Sequence, residues 1–163
     1  MHEIIILVAK YLIVVSALIA LLVWIRLEDW PERWRFAIKA VLGAILALLL
    51  AKLASHLFYD PRPFVAGHFT PYFYHAADNG FVSDHTLLAS FLAFTVWRYK
   101  RWAGVVLFVL AIAIGLARVV AGVHHLADIG GAMVCALIGV VLAWLIVKYW
   151  PVSSKKGIYH LHK

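Results

Sequence analysis

Long apolar segments separated by short polar ones dominate this chain. Five of them lie at about residues 4–25, 36–58, 83–98, 102–121 and 126–150. A helix of about 20 residues crosses the roughly 30 Å hydrocarbon core of a bilayer, and most of these segments reach that length. Because backbone polar groups find no water in lipid, each segment is expected to be helical. The pattern therefore predicts an all-α, polytopic membrane helix bundle with about five transmembrane spans.

The composition agrees with a membrane protein. Of the 163 residues, 65% are hydrophobic, and the mean hydropathy of +0.92 exceeds that of soluble domains. No linker or repeat divides the chain, so residues 1–163 are expected to form one domain. The first apolar segment is too long for a cleaved signal peptide and no basic cluster precedes it, so we expect it to remain as a span. Cys135 is the only cysteine, which excludes an internal disulfide and a cysteine-based metal cluster.

The basic residues predict the orientation in the membrane. They alternate with the predicted spans so that one side collects Arg26, Arg33, Arg35, Arg98, Lys100, Arg101, Lys148, Lys155, Lys156 and Lys163. Positive residues mark the cytoplasmic side, so we expect the N-terminus outside and the basic tail, residues 151–163, in the cytoplasm. Attraction to anionic lipid explains the formal net charge of +7 better than a nucleic-acid partner, which we do not expect.

One short polar stretch between the last two apolar segments carries the strongest chemical signal. Arg118, His124 and Asp128 occur there within eleven residues. On a helix, His124 and Asp128 would share a face, and a carboxylate on one ring nitrogen leaves the other nitrogen free to attack or to accept a proton. Arg118 adds a planar donor fork suited to phosphate. Charged groups near a membrane core are costly and seldom idle, so we favour catalysis over a polar loop with incidental charges.

Two further stretches carry candidate residues on the same side. Ser83-Asp84-His85 opens the third segment, where Ser83 or Asp84 is a natural N-cap and the free N–H groups of a helix start can bind an anion. His85 would lie beside that anion, although alone this pattern is equally typical of plain capping. Arg62 stands between two prolines that stiffen its backbone.

Segment lengths place these residues below the membrane surface. Ser83 to Arg98 spans about 15 residues, or roughly 23 Å of helix, against a hydrocarbon layer of roughly 30 Å. The next segment gives a similar depth for Arg118. Sunken polar groups can satisfy one another only by meeting in one wet pocket, so the substrate is expected to be amphipathic, with an anionic head in the pocket and its tail in lipid.

These three blocks together resemble the type-2 phosphatidic acid phosphatase superfamily. That family has a lysine and Arg-Pro in the first block, Pro-Ser-Gly-His in the second, and Ser-Arg-x5-His-x3-Asp in the third. The matching residues here are Arg62, Pro63, Ser83, His85, Arg118, His124 and Asp128. The resemblance covers residues 52–145, with the catalytic blocks in 52–128. The stretches around Arg62, His75 and Ser83 look most like the bacitracin-resistance type of undecaprenyl-diphosphate phosphatase.

The chain also departs from the family pattern. Ser55 stands where the family has its lysine, and Lys52, one turn earlier on the same face, is a candidate replacement. Val82 and Asp84 replace a proline and a glycine, and Ala117 replaces a serine, which removes one hydroxyl from the phosphate site.

The resemblance implies a role for each matching residue. His124 would attack phosphorus and form a phosphohistidine, Asp128 would orient its ring, and His85 would protonate the leaving oxygen and then activate water. The phosphate oxygens would be bound by Arg62, Arg118 and Ser83, with Lys52 and Asp84 as further candidates. No metal or cofactor is expected, because fixed cations stabilise the charge.

The implied function is that of a multi-pass lipid phosphatase of the bacterial plasma membrane, with its site facing outward. It would convert undecaprenyl diphosphate to the monophosphate, which recycles the lipid carrier for peptidoglycan synthesis. Another lipid phosphate, such as phosphatidylglycerol phosphate or phosphatidic acid, stays open as substrate, and the oligomeric state is open too. A non-enzymatic anion transporter is disfavoured, because no span shows a polar stripe in its cytoplasmic half.

Three smaller features leave alternatives open. His75 and Asp78 could contact the substrate headgroup or could belong to a structured outer loop. His125 is expected to be a neighbour and not the nucleophile, because it breaks the four-residue spacing to Asp128. The Gly130-Gly131 pair is expected to allow close helix packing.

Overall fold

The computed structural model describes residues 2–149 and shows a helical bundle. Its helices are α1 (His2–Ile25), α2 (Trp30–Leu57), α3 (Pro63–Ala66), α4 (Asp84–Trp97), α5 (Arg101–Val120) and α6 (Leu126–Tyr149). Between residues 2 and 149 the β-type pairing is limited to one isolated bridge, from Pro61 to Asn79. The all-α prediction is therefore confirmed. The predicted tail at 151–163 lies outside the described residues.

Four helices have the length and hydropathy to cross a membrane: α1, α2, α5 and α6. The helix α4 has 14 residues, or roughly 21 Å, which is shorter than the hydrocarbon layer. A polytopic membrane bundle follows from these lengths. The count of five spans and the orientation of the termini stay predictions.

The predicted helix boundaries agree with the observed ones to within a few residues, except at the start of α2. The sequence predicts a break at Pro31 and a span from residue 36, whereas α2 already begins at Trp30. Pro31 lies in the first turn, where a backbone N–H has no intrahelical acceptor and its loss costs nothing. The aromatic and basic residues up to Arg35 are therefore part of the helix.

Small residues let the helices approach closely. A Cβ added at Gly139 of α6 would lie 2.7 Å from the backbone nitrogen of Ala47 in α2, and one at Gly131 would lie 2.6 Å from the ring of Phe81. Gly130 has no neighbour within 4 Å of such a Cβ. Gly131 therefore allows the loop at Phe81 to approach α6 closely, whereas the close helix packing predicted for the glycine pair is not seen at Gly130.

The bundle has two chemically different ends. We call the loop end the one formed by residues 58–83 and 121–125, together with the start of α1. We call the basic end the opposite one, which carries the arginines and lysines at 26–35, 98–101 and 148. Between the ends, α2, α4 and α6 pack an apolar layer: Ala47, Ala51, Leu87, Phe91, Ala132, Cys135 and Ala136.

Candidate active site

A buried histidine and aspartate form the centre of the loop end. Asp128 lies in the first turn of α6 and is fully buried, and its Oδ2 is 3.1 Å from Nδ1 of His124. The backbone N–H of His125 donates to the same oxygen at 2.8 Å. Because the carboxylate holds the proton on Nδ1, the lone pair of His124 is on Nε2.

Two buried arginines meet this lone pair. Nη1 of Arg62 is 3.2 Å from Nε2 of His124, and Nη2 of Arg118 is 3.4 Å from it. Only 5% of Arg62 and 3% of Arg118 is exposed, so both charges act in a medium of low dielectric. A nitrogen nucleophile flanked by two guanidinium groups is suited to a phosphoryl group, whose equatorial oxygens those groups can bind.

Each arginine is held in place by a different part of the chain. Nε of Arg62 donates to Oδ1 of Asp78 at 2.7 Å, and its Nη1 also donates to the carbonyl of Val123 at 2.9 Å. Nη1 of Arg118 donates to the carbonyl of Ala9 in α1 at 3.2 Å, and its Nη2 lies 3.2 Å from Nε2 of His75. His75 and Asp78, whose roles the sequence left open, therefore contact the arginines.

The loop residues of the site have shifted pKa values. Burial lowers the pKa of His124 below its usual range, and the charges of Arg118 and Arg62 add to this, although the hydrogen bond to Asp128 opposes it. Burial also lowers the pKa of His75, with the charge of Arg62 as the second cause. At Asp78 burial alone would raise the pKa, but the hydrogen bond and charge of Arg62 outweigh it and lower the pKa. Both imidazoles thus favour their neutral forms, and Asp78 favours its charged form.

Asn79 connects the loop to the end of α2. Its Nδ2 donates to the carbonyls of Ser55 at 2.7 Å and Phe58 at 2.8 Å. Its Oδ1 accepts from the backbone N–H groups of Asp60 at 2.9 Å and Phe81 at 3.0 Å. One amide side chain thereby satisfies backbone groups on both sides of the Arg62 segment and fixes the position of that arginine.

A second histidine and carboxylate pair supports the turn that carries His124. Nδ1 of His125 lies 2.9 Å from Oδ2 of Asp60. Asp60, His125 and Asp128 also offer ligand atoms within 4.8 Å of one another, which is a spacing that a metal ion could use. These atoms are already engaged in hydrogen bonds, except Oδ1 of Asp128, which is buried without a partner among residues 2–149. These hydrogen bonds hold the turn that carries His124, and Oδ1 of Asp128 is the one atom of the set shown without a partner there.

The residues that open α4 lie beside this cluster. Ser83 is fully buried at the N-cap position, and its backbone N–H donates to the carbonyl of Asp128 at 3.3 Å. Its hydroxyl makes no capping bond and instead lies 3.2 Å from the hydroxyl of Thr86. His85 is half-buried in the first turn of α4. The structure thus brings His85 to the same end as the nucleophile candidate.

Two further candidates do not join the cluster. Asp84 is exposed in the first turn of α4. Lys52 is exposed on α2 and lines an open groove of about 850 Å³ with Ser55, His56 and Asn79. Lys52 forms no ion pair within the described part of the chain, and its role as a replacement for the family's lysine stays a prediction.

Asp60 and Asn79 are site residues that the sequence analysis missed. Both stand in a polar loop whose proline and glycine content indicates turns only. The one sequence signal for Asp60 was its position immediately before Pro61. No spacing rule relates Asp60 to His125, because the two are 65 residues apart.

Comparisons with known proteins give the family of this chain. A family model described as the PAP2 superfamily matches residues 36–154. YbjG of Escherichia coli (strain K12), provisionally named an undecaprenyl-diphosphatase, is 35% identical over 151 residues, which cover 91% of this chain and 73% of YbjG. Undecaprenyl-diphosphatase BcrC of Bacillus subtilis (strain 168) is 30% identical over 138 residues, which cover 85% of this chain and 70% of BcrC.

A solved structure extends the comparison to the fold. The crystal structure of Aquifex aeolicus LpxE matches with a TM-score of 0.63 and 22% sequence identity. The match covers 88% of this chain and 93% of LpxE. At this level of identity, the likeness concerns the arrangement of the helices.

Proposed function

The chain belongs to the PAP2 superfamily, and from this premise we propose that it hydrolyses undecaprenyl diphosphate to undecaprenyl phosphate and inorganic phosphate. It would do so in the bacterial plasma membrane, with the loop end outward, and thereby recycle a cell-wall lipid carrier. The names of YbjG and BcrC support this substrate. The observation that carries the proposal is the contact of both Arg62 and Arg118 with Nε2 of His124.

The first chemical step is transfer of the terminal phosphoryl group to the protein. Nε2 of His124 attacks the terminal phosphorus, so that a P–N bond forms while the P–O bond to undecaprenyl phosphate breaks. His85 donates its proton to the leaving oxygen. Asp128 stabilises the positive charge that develops on the ring of His124, because its carboxylate accepts the Nδ1 proton.

The second step returns the protein to its starting state. His85, now neutral, takes a proton from a water molecule whose oxygen attacks phosphorus and breaks the P–N bond. Inorganic phosphate leaves, and His124 is again neutral. In both steps Arg62 and Arg118 bind the equatorial oxygens, and Ser83 with the first N–H groups of α4 adds donors at the same end.

The decisive experiment is phosphate release from undecaprenyl diphosphate by the purified full chain. We expect activity that a chelator does not remove, loss of activity in His124→Ala, and full activity in the control His56→Ala, whose histidine is exposed at the end of α2. Rapid quenching should trap acid-labile phosphate on the wild-type chain and none on His124→Ala. Retained activity in His124→Ala would overturn the proposal.

A substrate panel separates the proposed lipid from its relatives. The same preparation is offered undecaprenyl diphosphate, phosphatidylglycerol phosphate and phosphatidic acid at matched surface concentrations. We expect the highest kcat/KM for the diphosphate. A preference for either glycerolipid monoester would reject the diphosphate as substrate while leaving the phosphatase chemistry intact.

A further inference from the structure

A second polar cavity lies at the basic end of the bundle. It has a volume of about 110 Å³ and is lined by Glu32, Lys39, Thr95, Arg98, Tyr99 and Trp144. Such a volume holds several waters or one tetrahedral oxyanion. The polar residues come from three helices and one loop, so the cavity forms although no single span carries a polar stripe in this half.

Two hydroxyl groups in this cavity have no hydrogen-bond partner within residues 2–149. Thr95 is 6% exposed, and its Oγ1 is buried and unpaired. The hydroxyl of Tyr99, two residues after the end of α4, is buried and unpaired as well. Buried polar groups in native proteins are almost always hydrogen-bonded, so two unpaired hydroxyls that line one cavity indicate that a molecule inside it, either water or a ligand, supplies the acceptor.

The charged residues of the cavity are likewise unpaired with one another. Glu32, Lys39 and Arg98 line the same space, yet none of them is in an ion pair within 4.0 Å in the described part of the chain. The guanidinium of Arg98 instead lies 5.2 Å from the ring centre of Trp144. Two cations, two hydroxyl donors and one carboxylate are therefore available to a bound molecule.

This cavity is separate from the proposed active site. Thr95 and His85 are ten residues apart on α4, which corresponds to roughly 15 Å. The apolar layer of Ala47, Phe91 and their neighbours fills the space between the two ends. The cavity therefore lies at the opposite end of α4 from His85, and none of its lining residues belongs to the cluster around His124.

We propose that the cavity at the basic end is a second ligand site that binds a phosphoryl group. Lys39 and Arg98 bind its charged oxygens, and the hydroxyls of Thr95 and Tyr99 donate to them. Glu32 accepts a hydrogen bond from a donor that the ligand carries next to its phosphate, as the amine or hydroxyl of a phospholipid headgroup does. The source of the phosphoryl group is such a headgroup or free inorganic phosphate, and this inference does not depend on the reaction at the other end.

Fluorescence of Trp144 reports on this cavity. The full chain in detergent is titrated with inorganic phosphate and, separately, with a soluble short-chain phosphatidylethanolamine. The same titration of Trp144→Phe is subtracted, so that the remaining signal belongs to the cavity and not to the active site. We expect saturation with at least one of the two ligands, and the ligand that saturates identifies the source.

Variants of cavity residues and matched control variants test whether the fluorescence change of Trp144 comes from binding in the cavity. In Thr95→Val and in Arg98→Gln we expect the half-saturating concentration to rise at least tenfold. In Ser90→Ala, which removes another buried unpaired hydroxyl of α4, and in Arg101→Gln, an exposed arginine nearby, we expect no change. Thr95→Val keeps the side-chain volume and remains decisive if Arg98→Gln does not fold.

Two results would overturn the proposal. One is the absence of a saturable Trp144 signal with either ligand. The other is an equal response in all four variants, which would mean that the ligand adsorbs elsewhere. Phosphate release at the loop end is measured on the same preparations. Loss of the Trp144 signal with normal phosphate release, and loss of phosphate release with a normal Trp144 signal, can then be told apart.

Discussion

The two carboxylate oxygens of Asp128 differ in their hydrogen-bond partners. Oδ2 accepts from Nδ1 of His124 and from the backbone N–H of His125, while Oδ1 is buried and unpaired within residues 2–149. A buried carboxylate of this kind is stabilised chiefly by its histidine and by the cationic surroundings. Its orientation therefore determines which nitrogen of His124 can act on substrate.

Replacing the carboxylate of Asp128 by an amide should separate its effect on the orientation and tautomer of the His124 ring from its effect on packing. In Asp128→Asn the side chain keeps its shape but no longer enforces the Nδ1–H tautomer of His124, so we expect kcat to fall by about 10²–10⁴-fold, as in other histidine and aspartate pairs. Asp60→Asn is the matched control, because Asp60 holds His125 in the same way and touches no proposed nucleophile. A loss in Asp60→Asn as large as that in Asp128→Asn would contradict the assignment.

The shifted pKa of His124 predicts how activity depends on pH. The nucleophile must be neutral, and because burial and the two arginines lower its pKa, the neutral form persists in more acidic solution than for an ordinary histidine. We therefore expect the acidic limb of the kcat/KM profile to lie below pH 6.5, the ordinary value. In Arg62→Gln that limb should move toward higher pH, because one of the charges that lower the pKa is gone. A wild-type limb above pH 6.5 would show that His124 is not the titrating nucleophile.

At the scale of single residues, the sequence predicted the contacts between residues that are close together along the chain. His124 and Asp128 are four residues apart and do pair, and the resemblance to the phosphatase superfamily that they helped to establish is confirmed. The pairing of Arg62 with Asp78 spans sixteen residues of irregular loop, for which no periodicity exists. Lys52 was a candidate from the family pattern together with helical spacing, and neither says how the face of α2 is turned relative to the cluster.

At the scale of the elements, the close approach of α2 and α6 shapes the bundle. Gly139 lies against the backbone of Ala47, so the two helices touch without intervening side chains. Helix contacts in membranes depend on such small residues, because lipid offers little hydrophobic advantage to larger ones. This contact keeps the ends of α2 and α6 together, and with them Asn79, which is bonded to α2, and Asp128 at the start of α6.

Two glycines of α6 provide a matched test of this packing. In Gly139→Ala the new Cβ would lie 2.7 Å from the Ala47 nitrogen, so the helices must separate, and we expect a loss of about 1–3 kcal/mol of stability. In Gly130→Ala the new Cβ meets nothing within 4 Å, and the gain in helix propensity should stabilise the protein by about 0.5–1 kcal/mol. Unfolding midpoints in detergent measure both, and equal effects would contradict the role of the contact.

Hydrophobic periodicity located the helices but not their faces. The apolar residues surround each helix almost evenly, so the pattern predicted where α4 runs and not that Thr95 faces a cavity. The start of α2 was misplaced for a related reason: a proline was read as a break, although the first turn of a helix accepts it. Tertiary packing, which the sequence does not display, decided both.

At the scale of the whole molecule, the separation of the two ends determines the predicted orientation. The cluster around His124 and the start of α1 share the loop end, while the arginines and lysines before α2 and α5 collect at the basic end. If the basic end faces the cytoplasm, the loop end faces outward.

Labelling of single cysteines on intact cells tests this orientation. With Cys135 replaced by alanine, we expect a membrane-impermeant thiol reagent to label Thr70→Cys in the exposed loop and not Lys100→Cys at the basic end. Permeabilised cells should show labelling at both positions, which controls for reactivity. Labelling of residue 100 alone in intact cells would reverse the topology and place the site in the cytoplasm.

The hydrogen bond from Arg118 to the carbonyl of Ala9 has a consequence for the evolution of this domain. The family match begins at residue 36, so α1 lies outside the segment that the family model matches. A chain that started at that point would retain every motif residue, yet one guanidinium hydrogen would lose its acceptor. The leading helix thus supports one arginine of the proposed active site, and a descendant that lost this helix would need a different acceptor for that hydrogen.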